Sequence, residues 1–149
     1  MRAQDPSYPW YKEVCYYAAR EGHLEVLRWA RSQGCPWDTW TSAGAARGGH
    51  LEMLQWMRDQ DPPCPWNSRV CCDAASEGHL EVLRWARSQG CPWDGRAPCT
   101  AAMNGHLKVL IWLIEEGCPY DKGECRKAAQ WGADEGGERA RKVLEWLNE

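Results

Sequence analysis

The stretch EGHLEVLRWARSQGCPWD runs from Glu21 to Asp38 and returns letter for letter from Glu77 to Asp94. Eighteen identical residues in two places record a duplication, and looser copies lie between and after them. A Gly-His pair stands at Gly22-His23, Gly49-His50, Gly78-His79 and Gly105-His106. An aromatic residue follows proline at Trp10, Trp37, Trp66, Trp93 and Tyr120, and eleven residues separate each from a glycine, the last being Gly132. An Ala-Ala pair precedes every one of those glycines, from Ala18-Ala19 to Ala128-Ala129. The aromatic spacings are 27, 29, 27 and 27 residues. A period in this range means a repeat architecture. The copies divide the chain into five repeats, at about 8–34, 35–63, 64–90, 91–117 and 118–149, which form one domain.

Such a chain needs no central core, because each repeat buries its apolar face on its neighbours. Composition narrows the function classes. The net charge is −3 with both signs interspersed, which argues against a nucleic-acid or anionic-membrane surface. No run of eighteen apolar residues suggests a membrane span. The start, MRAQDPSYPW, lacks the apolar core of a signal peptide. The nine cysteines are therefore expected as reduced thiols in a cytoplasmic or nuclear setting.

Each repeat reads as two helices. Asp38, Asn67, Asp94 and Asp121 follow the aromatic residue and are N-cap residues for the first helix. Asp121 with Glu124 fits a capping box. Pro98 requires the fourth repeat's first helix to start late, with the proline in its first turn. The Ala-Ala pairs fall where helices approach closely. The second helix is the stronger one. Leu24, Leu27 and Ala30 recur at helical spacing, and Val26 and Trp29 widen that face, so it is expected to be buried against more than one neighbour. Glu25, Arg28 and Ser32 form its polar stripe. Gly34, Gly90 and Gly117 stop it in the left-handed conformation. The second repeat lacks that glycine and inserts two residues around Asp59-Gln60-Asp61-Pro62-Pro63, which predicts a wider turn. In the fifth repeat, Gly132 to Glu138 predicts a polar, glycine-rich loop before an end-capping helix. Tyr8, Trp10, Tyr11, Tyr16 and Tyr17 crowd the first repeat and are expected to cover its free face.

The series Ala-Ala-x-x-Gly-His-Leu-Glu-Val-Leu, followed by a helix ending in glycine, resembles the ankyrin repeat over about residues 8–149. Gly22–Leu27, Gly49–Leu54, Gly78–Leu83 and Gly105–Leu110 carry the resemblance. The period is shorter than the 33 residues typical of ankyrin, and the Thr-Pro-Leu-His opening of the first helix is missing. Cys-Pro-Trp-Asp stands in place of the protruding hairpin, so the hairpin fingers are expected to be shortened or absent. This variety looks like the expanded arrays of giant viruses, algae and oomycetes. The resemblance implies an all-α solenoid of five antiparallel helix pairs, monomeric and non-catalytic, used for contact with a protein partner. If the source is viral, it implies a host protein in the host cytoplasm or nucleus.

The residue chemistry agrees with that expectation. Cys35, Cys64, Cys91 and Cys118 share one repeat position, and stacked repeats hold equivalent positions about 10 Å apart. Zinc would need them to converge to about 4 Å, and disulfides need Cα atoms within about 7 Å. Packing thiols are the expectation, with Cys71, Cys72 and Cys99 the one group for which metal binding stays open. His23, His50, His79 and His106 are expected to hydrogen-bond turn backbone. No nucleophile stands apart beside a histidine, and no phosphate-binding glycine motif occurs, so neither catalysis nor a cofactor is expected. Two tryptophan ladders, one led by Trp37 in the turn and one by Trp29 in the second helix, read as core. Trp40 and Trp131 belong to neither.

Binding is expected where the repeats differ while their frame is constant. Trp40, Arg69 and Arg96 occupy one such position, Tyr17 and Asp73 a second, and Arg20, Arg47 and Met103 a third. All lie at helical spacing on one side of the first helix, the side that the ankyrin resemblance assigns to a concave groove. These positions read either as a partner site or as unconstrained solvent positions. Trp40 favours a partner site centred on Trp40, Arg20, Arg47 and Arg69, because Trp and Arg are enriched at interface hot spots. A secondary patch is Ile111 and Ile114, which stand on the polar stripe where other repeats carry Arg28 and Arg31, Gln55 and Arg58, and Arg84 and Arg87. The two isoleucines are expected to be covered by the 132–138 loop or by a second chain.

Overall fold

The computed structural model describes residues 11–149. Trp10 and Tyr8, the first aromatics of the pattern, lie outside the described residues. Ten helices form among the described residues, in five sequential pairs. The first helices are α1 (Tyr11–Glu21), α3 (Thr39–Arg47), α5 (Ser68–Ser76), α7 (Arg96–Met103) and α9 (Lys122–Asp134). The second helices are α2 (Leu24–Ser32), α4 (Leu51–Asp59), α6 (Leu80–Ser88), α8 (Leu107–Glu115) and α10 (Glu138–Leu147). Each first helix packs on its own partner and on the first helix of the next pair. The chain is an all-α helical solenoid of five helix pairs, as its periodicity predicts.

Small side chains allow the first helices to stack. The Ala-Ala pairs from Ala18-Ala19 to Ala101-Ala102 are buried throughout. Leu27, Leu54, Leu83 and Leu110 form the matching buried row on the second helices. Caps set the boundaries. The Asp38 carboxylate accepts from the backbone N–H of Trp40 and Thr41, while the Asp38 N–H donates to Thr41 Oγ1, completing a capping box. Asn67 and Asp121 accept from Arg69 and Glu124 N–H respectively. The expected box at Asp121 is half made, because the Glu124 side chain pairs with Lys127 instead. Helix α7 starts one residue later than its counterparts, and Pro98 sits in its first turn, where no donor is needed.

Two kinds of glycine turn connect the helices. Gly22, Gly49, Gly78 and Gly105 adopt φ between 75 and 79°, and the following histidine N–H returns to a carbonyl inside the first helix, as from His79 to Ala74. Gly34, Gly90 and Gly117 stop the second helices in the same left-handed conformation. The Cys35 and Cys91 N–H groups then donate to the carbonyls of Ala30 and Ala86. In the second repeat the equivalent bond, Cys64 N–H to the Met57 carbonyl, survives across the two extra residues. The wider turn thus keeps the same anchor.

The fifth repeat departs from expectation. Helix α9 continues through Gly132 to Asp134, so only residues 135–137 form a loop. Gly132 is buried where a Cβ would collide with the Met103 carbonyl. Its smallness permits close helix approach and does not mark a helix stop. Arg139 and Ala140 of α10 then press on Gly105, as the histidines of other repeats press on earlier glycines.

Candidate functional site

The variable first-helix positions come together in the middle of the chain. Trp40, on the first turn of α3, is 51% exposed. The Arg69 guanidinium of the next repeat lies 4.2 Å from its ring centroid. Arg69 also pairs with Asp73 one turn along α5, at 3.9 Å. Arg47 reaches the same carboxylate at 3.6 Å and Glu77 at 3.3 Å. Trp40, Arg47, Arg69 and Asp73 therefore form one connected network across two repeats. Burial pushes the Asp73 carboxyl up, and Arg69 and Arg47 oppose that shift. Both arginines therefore favour the ionised form of Asp73.

Arg96 continues the row. It donates to both Asp94 carboxylate oxygens and to Ser68 Oγ, and these bonds hold the Asp94 carboxyl below its ordinary range. Tyr17 stands at the other end, 56% exposed. Beside it, Tyr16 packs over Gly44, where a Cβ would come within 3.2 Å of its ring. Tyr16, Tyr17 and Trp40, with Glu13 and Asp38, line a cavity of about 300 Å³. Tyr16 thus leans toward the second repeat, and of the described aromatics only Tyr17 borders the free face, where Val26 is still 45% exposed.

Not every expected residue joins. Arg20 is exposed, and its backbone carbonyl, not its guanidinium, is engaged, accepting from His50 Nε2 at 2.9 Å. Met103 lies toward the far end, lining a separate cavity with Trp131 and Glu135. Ile111 and Ile114 are half-buried, and Ile114 packs against the core. The 132–138 segment expected to cover them lies beside Met103 and Asn104 instead. Sequence reasoning passed over Tyr16 and Asp38 as site residues, although Tyr16 stands where the next three repeats carry the small residues Ala43, Cys72 and Cys99 and the fifth carries Arg126.

The histidines stitch repeats together. His50 and His79 donate from Nε2 to the carbonyls of Arg20 and Arg47, each in the preceding repeat. Burial lowers the His106 pKa, and Arg139 adds to that effect. The tryptophan ladders flank the core and are not inside it. Their members pair edge-on within each repeat, Trp37 with Trp56, Trp66 with Trp85 and Trp93 with Trp112, at 5.7–6.1 Å. Arg31, Arg58 and Arg87 stack on Trp37, Trp66 and Trp93 at 4.0–4.1 Å. Each also donates to the carbonyl of Cys35, Cys64 or Cys91. Arginines read as solvent-facing stripe thus seal the turns.

The cysteines pair between positions the sequence comparison kept apart. The expectation of reduced thiols throughout is not met: Cys15 of α1 and Cys35 of the next turn form a disulfide, with Cα atoms 6.7 Å apart, while the other seven cysteines are free. Cys71 and Cys91 occupy the equivalent places and are hydrogen-bonded thiols. Cys99 and Cys125 sulfurs lie 3.2 Å apart, while Cys72 meets Thr100. Cys71, Cys72 and Cys99 thus have separate partners. Among the described residues, no three His, Cys, Asp or Glu side chains are grouped as metal ligands. Burial pushes the Cys64 thiol up to about 11 and Cys118 to about 12, so both are protonated and poorly nucleophilic at neutral pH. No helix among the described residues is long and apolar enough to cross a membrane.

No protein-family model matches the chain. Nor does any curated protein match it.

Proposed function

We propose that this chain is a short-period, ankyrin-like interaction module that binds a protein partner through its first-helix face. It is non-catalytic and acts in the cytoplasm. The ankyrin-type assignment rests on the Ala-Ala-x-x-Gly-His-Leu pattern together with the helix-pair solenoid it builds. The observation that carries the binding reading is Trp40, a half-exposed indole held by Arg69 and set beside an open cavity. A large aromatic side chain fixed by its neighbours costs little ordering entropy when a partner covers it. The raised thiol pKa values support the non-catalytic part of the reading.

The test is capture from lysate with wild-type bait and the Trp40→Ala/Arg47→Ala/Arg69→Ala variant, analysed by mass spectrometry. A protein retained by the wild type and lost from the folded variant supports the reading. Equal retention by both baits places binding elsewhere. A second reading, a spacer within a longer repeat array, draws on the exposed Val26 and Trp29. It is favoured if an added N-terminal repeat copied from residues 64–90 raises the thermal midpoint while no partner is captured.

A further inference from the structure

We propose that the cavity between Tyr17 and Trp40 is a cation subsite, which takes the ammonium head of a lysine side chain presented by the protein partner. This rests on the first-helix face being the binding face and names the chemistry it reads. The walls are aromatic: Tyr16, Tyr17 and Trp40. Tyr16 and Tyr17 meet edge to face, their centroids 5.2 Å apart. Among the described residues the charged lining is Glu13 and Asp38, and no basic side chain joins them. A cation set against the faces of Tyr or Trp gains from the ring quadrupole, most when it is partly desolvated.

The structure already contains one instance of this chemistry on the same ring. Arg69 stacks on Trp40 at 4.2 Å and is not among the residues lining the cavity. The indole is thus placed to hold an internal cation outside the cavity and an incoming one within it. The two carboxylates contribute unequally. Asp38 accepts from the first-turn N–H groups of α3, whose positive end offsets its charge. Glu13 is exposed and lies on the adjacent repeat, so it supplies the counter-charge to the ammonium. The surroundings also disfavour an anion, which would face the Glu13 carboxylate. Beyond the cavity the surface turns basic through Arg47, Arg69 and Arg96, so the partner segment carries its lysine before acidic or polar residues.

The probes are Nα-acetyl-lysine methylamide, its Nε-trimethyl form, and the uncharged norleucine amide of similar length. They are titrated into the full chain while the indole N–H resonances are followed by NMR. Saturable shifts of the Trp40 indole with both cations, and none with the neutral amide, are expected. Glu13→Gln, on an exposed side chain, should retain the fold and weaken cation binding at least about threefold. Tighter binding of the trimethyl form assigns a methylated lysine, and equal binding an unmodified one; either supports the subsite. No shift at Trp40, an equal shift with the neutral amide, or no change in Glu13→Gln overturns it. If the subsite fails but lysate capture still depends on Trp40, Arg47 and Arg69, the binding face stands without it. If cations bind while capture is unchanged by the triple variant, the cavity holds a cation but not the partner's lysine, and the binding-face reading falls with the partner assignment.

Discussion

Residues 21–38 and 77–94 are the same eighteen letters in two different surroundings. Their backbones agree: the second helices span equivalent residues, Leu24–Ser32 and Leu80–Ser88, and Gly22 and Gly78 have φ of 79 and 77°. The arginine caps agree too, with Arg31 and Arg87 stacked on Trp37 and Trp93 at the same 4.0 Å. What differs is the side facing the preceding repeat. Val82 is 2% exposed and Val26 45%. Trp85 is half-buried, while Trp29 is 55% exposed. His79 donates to the Arg47 carbonyl, whereas His23 is exposed and has no described repeat before it. Local sequence therefore sets the helix, the turn and the cap. Stacking alone decides which apolar atoms leave water.

The largest expected effect tests the side on which the copies agree. Gly22 faces His50 and Gly78 faces His106, and a Cβ on either would sit 2.6 Å from the ring. Gly22→Ala and Gly78→Ala should each cost about 2–5 kcal/mol, combining left-handed strain with overpacking. Gly90→Ala, with similar φ but nothing within 4 Å, should cost only about 1–2 kcal/mol. Urea denaturation checks all three, and a large difference between Gly22 and Gly78 would break the equivalence. The next effect tests the side on which the copies differ. Val82→Ala should lose about 1–3 kcal/mol and Val26→Ala less than about 0.5 kcal/mol. Equal losses would mean that Val26 is covered in solution.

A smaller contrast concerns the stitch. His79→Ala removes a donor to the Arg47 carbonyl and should cost about 1–2 kcal/mol, against under about 0.5 kcal/mol for His23→Ala. Thermal midpoints of the two variants give the ranking directly. The smallest effect is a pH slope. Burial holds the His106 pKa below its ordinary value of 6.5, so the unfolded chain takes up the proton first. The stability tied to its neutral form is complete above 6.5 and declines as the pH falls toward the lower folded value. His106→Gln should flatten that decline, as read from denaturation midpoints across the acidic range.

Much of this was legible from spacing. The Ala-Ala pairs, the stopping glycines and the late start at Pro98 each follow from one residue's local chemistry, and each is found where expected. The failures arise where one letter serves two purposes. Gly132 holds the place of a helix-ending glycine, yet it lies within α9 because the Met103 carbonyl needs the room. Cys15 and Cys35 pair because different positions of adjacent repeats meet, which a comparison of like positions never tests. At the candidate site, Trp40 was visible because it belongs to neither ladder. Asp38 was hidden behind its capping role, and Tyr16 behind a crowd of aromatics, because a cavity between repeats is written in no single repeat.

The histidine stitch has a directional consequence. The second and third repeats each present a ring N–H on one side and a helix-end carbonyl on the other, with His50 donating to Arg20, His79 to Arg47 and His106 to Ser76. The units therefore join head to tail, like monomers in a condensation polymer. Splicing one whole unit in or out regenerates the joint it interrupts, with no donor or acceptor orphaned. Recombination between near-identical gene segments can then change the length of such a chain without redesigning any junction. The two verbatim copies are the trace that this kind of exchange leaves.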